Sequence, residues 1–143
     1  ASSAAPRSPF DRAPMAQVKI YARRHHLERS RGALSDTIHG VFRETLGLPE
    51  DKRFHRFIAL DAADFVHPAD RGDGYTILEI VMFEGRTDAT KRACLRRLME
   101  DVPAATGIPV NDLEVVILES PKANWGIRGM VGDELALSYK VET

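Results

Sequence analysis

A chain of 143 residues, 43% apolar and 29% charged with a net charge of −1, has room for one packed core and lacks the basic excess of a general nucleic-acid binder. Its one cysteine, Cys94, excludes an intrachain disulfide framework and a cysteine-rich zinc site. No apolar run approaches the ~20 residues of a membrane span.

Residues 1–15 hold Ala, Ser, Pro and Arg and no hydrophobic segment, so they are not a secretory signal. They predict a flexible extension ahead of a folded domain over 16–143. An expression scar or a short organelle-targeting remnant would have the same composition.

The first predicted strand is AQVKIYA, in which Val18, Ile20 and Ala22 alternate with Gln17, Lys19 and Tyr21. ARRHHLERSR follows. It is basic, but Glu28 interrupts it and no aromatic residue is interleaved, which predicts a turn and a helix face rather than a nucleic-acid patch. His25 and His26 have no acidic or cysteine partner at ligand spacing and are expected in a solvated turn, not on a metal. An amphipathic helix carries Leu27, Leu34, Ile38, Val41, Phe42 and Thr45 at intervals of three or four. His39 on that helix is expected to be a partly buried structural residue. Gly47 stands where a helix end favours positive φ, and HRFIALD reads as the second strand.

The same order then returns. YTILEIVMF is apolar on both faces and predicts a central strand. Thr87 or Asp88 can cap a second helix with Ala93, Cys94, Leu98 and Val102 on its apolar face, and Pro103 is expected to shorten or kink its end. Gly107 repeats the glycine stop, and EVVILES repeats the strand. One ungapped offset of 60 residues superimposes the halves: Gly47-Leu48-Pro49 on Gly107-Ile108-Pro109, Ile20 on Ile80, Arg31 on Lys91, Ala33 on Ala93 and Ile38 on Leu98. Cys94 then falls on Leu34 and reads as a small core residue. Asp64–Gly74 and Asn124–Glu142 read as loops and short hairpins that reach neighbouring subunits.

These observations predict an α/β (α+β) fold: two tandem β-α-β repeats forming a four-stranded sheet, with right-handed crossovers placing both helices on one face. The other face is left bare, and self-association is its simplest cover. No Ser-His-Asp order, phosphate loop or dinucleotide fingerprint is present.

ALSDTIHGVFRETLGLPEDKRF, FEGRTDATKRACLRRL and LESPKANWGIRG together resemble the tautomerase superfamily. The resemblance runs from about Met15 to Met130 and points to the long-chain branch that includes malonate semialdehyde decarboxylase. It implies a homotrimer whose bare sheet faces form a central barrel. It also implies an amino-terminal proline as general base or acid, and arginines that bind a substrate carboxylate.

Carried over residue by residue, the proline position falls on Ala16, whose nitrogen is a peptide amide while Met15 is attached. Removal of Met15 would expose a primary amine instead. The acid position falls on Lys52, with Asp51 one step early; Lys52 reads as a solvated turn lysine or as a pocket lysine. Arg86, at a strand-to-helix junction, fits a carboxylate-binding residue or an exposed helix-start arginine. The decarboxylase's other arginine is Glu84 here, and the repeat partner of Arg86 is His26. Trp125 is kept, Ile127 replaces an aromatic and Arg128 is new; Trp125 fits a pocket wall and equally a packing contact.

The expected protein is cytoplasmic, needs no cofactor or metal, and has no nucleic-acid or membrane partner. It binds a small oxo-acid or carboxylate, with weak or absent proline-type tautomerase activity. Two alternatives remain open: an active tautomerase, isomerase or decarboxylase on a small 2-oxo or enol acid, with Ala16, Arg86 and Lys52 at the catalytic positions, or a non-catalytic ligand-binding or assembly protein.

Overall fold

The structure is a computed structural model that describes residues 16–134. The expected extension over 1–15 and the last nine residues lie outside the described residues. In chain order the elements are β1 (Ala16–Arg23), α1 (Arg24–Leu46), β2 (His55–Leu60), β3 (Thr76–Phe83), α2 (Asp88–Thr106), β4 (Leu113–Ser120), β5 (Gly126–Ile127) and β6 (Met130–Val131). The four long strands form one sheet in the order β2-β1-β3-β4. β1 pairs with β2 and β3 with β4 in parallel, while the central pair β1–β3 is antiparallel. β5 and β6 form a separate hairpin.

The two halves are related by a pseudo-twofold axis. Lys19 is the cross-strand partner of Glu79, and these residues are 60 apart, so the axis passes through that pair. β1 and β3 cover equivalent residues, and short 3-10 turns at Ala62–Asp64 and Lys122–Asn124 follow the second strand of each half. Both long helices stop at a left-handed glycine, Gly47 at φ 72° and Gly107 at φ 81°.

The core lies between the sheet and the two helices. Val18, Ile20, Leu78 and Ile80 meet Leu27, Leu34, Ile38, Phe42, Cys94, Leu98 and Val102, all with no or nearly no exposure. The opposite face is left uncovered. There Val116 and Leu118 are 40% and 47% exposed, beside the half-buried Ile58, Leu60, Ile77 and Val81. Polar contacts interrupt that apolar surface: the Tyr21 hydroxyl donates to Glu79 at 2.8 Å.

Four expectations need correction. Ala93 is exposed, so the apolar stripe of α2 rests on Cys94, Leu98 and Val102. Pro103 does not shorten α2, which continues to Thr106. The backbone acceptor it deprives belongs to Met99, on the outer side of the helix at 40% exposure, where water can satisfy it. His25 and His26 stand in the first turn of α1, not in a solvated turn, and His26 is 7% exposed. Thr45 is only half-buried and donates to the Val41 carbonyl at 2.7 Å.

His55 gives the fold a definite pH response. Burial, with Arg53 and His39 adding positive charge nearby, pushes its imidazole from 6.5 down to about 4. Its Nδ1 meets the Ser35 hydroxyl at 2.9 Å. Below pH 6.5 the unfolded chain takes up a proton that the folded chain refuses, so stability falls as pH drops from 6.5 to about 4. We expect a loss of about 2 kcal/mol, discounted for partial exposure, read as a falling urea midpoint. His55→Gln should flatten that slope; an unchanged slope would remove His55 as its cause.

Candidate functional site

At one end of the sheet the start of β1 meets the ends of β3 and β4. Ala16 is the partner of Met82, and Met82 of Glu119, so the three residues form one row on the helix-covered face. Ala16 is 3% exposed. Beyond β3 the chain turns through Gly85, at φ 125°, into Arg86 and then α2. Thr87 caps α2, its hydroxyl accepting from the Thr90 amide at 3.1 Å.

Arg86 is therefore fixed between a strand end and a capped helix start, and its guanidinium is half-buried. Burial lowers its pKa, while Cys94 and Glu119 work against that shift by raising it. An arginine still keeps its charge at neutral pH. Its Nε is buried without a hydrogen-bond partner. Glu119 lies within electrostatic reach, but no ion pair joins the two among the described residues. The Glu119 Oε1 accepts from Lys91 Nζ of α2 at 2.8 Å, while its Oε2 is buried and unpartnered.

Trp125 packs edge-on against Phe83, the last residue of β3, with ring centroids 5.0 Å apart and planes at 88°. Its Nε1 is also buried and unpartnered. The β5–β6 hairpin holds it from behind, the Gly132 amide donating to the Trp125 carbonyl at 2.8 Å. A Cβ on residue 132 would collide with the Lys122 carbonyl oxygen, so that close approach requires glycine. The hairpin turns through Arg128 and Gly129, both at positive φ, as a two-residue turn with the strand twist requires.

Of the five buried polar side-chain atoms without partners among the described residues, Arg86 Nε, Glu119 Oε2 and Trp125 Nε1 lie at this one end of the sheet. Buried polar atoms ordinarily find a partner, so their concentration marks a polar site. Lys52 belongs to the turn before β2, at the same end, where Phe54 accepts the Val18 amide at 3.0 Å. Its side chain is half-buried, and no hydrogen bond or ion pair among the described residues joins it to Arg86, Glu119 or Trp125. Its repeat counterpart, Asp112, is buried and accepts from the Gly72 amide at 2.8 Å. Glu84 is exposed.

From sequence Glu119 is only the first residue of the ExxxxNW spacing with Asn124 and Trp125, with no role assigned to it, and its signal as a site residue is the buried oxygen left without a partner. No group of three His, Cys, Asp or Glu side chains converges as a metal site among the described residues, and no described helix is long and apolar enough to cross a membrane.

Known proteins share this fold. The 2-hydroxymuconate tautomerase of Pseudomonas putida is 44% identical over 57 residues, which are 40% of this chain and 90% of that protein. That relative is thus about as long as one repeat. In overall shape the chain is similar to malonate semialdehyde decarboxylase, with a TM-score of 0.73 at 19% identity, covering 85% of this chain and 97% of the other. It is equally similar to a fused 4-OT solved as an asymmetric trimer, with a TM-score of 0.74 at 21% identity over 83% of this chain and 98% of the other. The profile of a family described as tautomerase enzyme matches residues 52–128, more than half of the chain, and the chain belongs to that family.

Proposed function

We propose that the site at Arg86 binds a small 2-oxo or enol acid by its carboxylate, and that proline-type tautomerase turnover is weak while Ala16 is joined to Met15. The observation that carries the reading is the set of unpartnered buried atoms on Arg86, Glu119 and Trp125. A guanidinium without a full ion pair, at the start of a helix, suits a carboxylate ligand. Keto–enol exchange moves one proton from oxygen to carbon or back and needs no redox partner. Glu119, within electrostatic reach of Arg86, is the acid–base group in place for that transfer.

The test is a titration of 2-hydroxymuconate and of a saturated 2-oxo dicarboxylate, read by fluorescence of Trp125, the single tryptophan. Arg86→Ala is expected to weaken binding at least about tenfold, since a charge-assisted contact contributes ~1.5–3 kcal/mol. Unchanged affinity would overturn the reading.

The assembly belongs to the same proposal. The uncovered sheet face with exposed Val116 and Leu118, and the trimeric relative of the same shape, support a homotrimer. Sedimentation at micromolar concentration should give three times the chain mass; a monomer would defeat it.

A further inference from the structure

The opposite end of the central strand pair holds a cleft of about 310 Å³ between the start of α1, the end of α2 and the loop before β3. His25, His26 and Arg29 line one side of it, and Asp73 and Gly107 lie on the other. Three features point to a ligand.

The first is the start of α1. Its N-cap residue, Arg23, makes no side-chain cap bond and its first turn carries no acid, whereas α2 has both the Thr87 cap and Asp88. The first amides of α1 therefore have no cap or acidic side chain from their own helix start. The second is His26, which forms part of the wall, is 7% exposed and leaves Nε2 buried without a partner. The third is the pseudo-twofold, which relates His26, in the wall of this cleft, to Arg86 of the first site. Asp73 opposes an anion, but it is already engaged, accepting from Arg23 at 2.9 Å and paired with His25 Nε2 at 2.8 Å. Arg29 is left as the exposed positive charge at the rim, with no ion pair among the described residues.

We propose that this cleft is a second anion site, which takes a small oxyanion, carboxylate or phosphate, between Arg29, a donating His26 Nε2–H and the free amides at the start of α1. Burial, with Arg29 and His25 adding positive charge, lowers the pKa of His26, so the ring is neutral and one of its nitrogens carries the proton. The proposal does not depend on the activity assigned to the Arg86 site.

The experiment is amide and imidazole NMR of the full chain, titrated separately with inorganic phosphate and with malonate. Shifts centred on His25, His26 and Gly107 are expected with at least one of the two. Phosphate alone identifies a phosphate-type ligand, malonate alone a carboxylate, and both a general oxyanion. The shifts should persist in Arg86→Ala, which removes the first site, and weaken at least about tenfold in Arg29→Ala. Arg29 is exposed, so that substitution leaves the core intact; His26→Phe is the second variant and should abolish them. No shift with either anion at tens of millimolar, shifts confined to Arg86 and Trp125, or equal affinity in Arg29→Ala and His26→Phe would each overturn the proposal.

Discussion

A chain cut to begin with proline at position 16 should turn over 2-hydroxymuconate at least about a hundredfold faster than the 143-residue chain. The chemistry of the family that the sequence resembles needs a basic nitrogen at the pocket, and an amide has none. Ala16 is paired in β1 and 3% exposed, in the row that ends on Glu119, so a nitrogen freed there would sit in a largely dry environment. Such burial lowers an amine's pKa and keeps more of it neutral at working pH. A positioned base typically contributes ~10²–10⁴-fold, which a rate assay resolves easily. A chain cut to begin at Ala16 separates the two parts of the effect. It presents a primary amine, whose pKa the same burial lowers from the free-terminus value of about 8, and should fall between the other two. Equal rates for the extended chain and the proline variant would sink the amine-centred account, and Glu119 and Lys52 would then be the first residues to substitute.

The repeat was legible because each signal in it is local. Alternation in AQVKIYA and the glycine stops at Gly47 and Gly107 are set by a few neighbouring residues, and the glycine stop recurs after 60 positions. The start of α1 was not legible, because Arg23 and Arg24 carry none of the Ser, Thr, Asp or Asn capping chemistry that marks a helix start. The helix begins there because Leu27 and the buried residues after it pack on the sheet, a tertiary cause that overrides the missing cap. His26 was misplaced for the same reason.

The site was half legible. Arg86 could be placed at a strand-to-helix junction from spacing alone. Glu119 could not be found that way, since what distinguishes it from Glu114 on the same strand is its neighbour on α2. Glu114 has both oxygens engaged, by Tyr75 at 2.6 Å and by Arg71 at 2.8 Å. Glu119 has only Lys91, which is 28 residues away in sequence.

Glu119→Gln should separate binding from turnover. A carboxylate within reach of Arg86 competes with the ligand's carboxylate for the same guanidinium and repels it. Replacing it by an isosteric amide removes that repulsion while keeping the shape, so carboxylate affinity should rise, by about tenfold for ~1.4 kcal/mol of relieved repulsion. Turnover in the proline variant should move the other way. If Oε2 carries the proton, its loss should lower kcat by ~10²-fold or more while KM falls. Lys91→Met serves as the control, because it removes the partner of Oε1 at 2.8 Å but leaves the acid in place. It should lower stability only slightly, as expected for a partly exposed ion pair, with a much smaller effect on kcat. A Glu119→Gln protein with tighter binding and undiminished kcat would leave Glu119 as an electrostatic neighbour of Arg86 and remove it from the proton transfer.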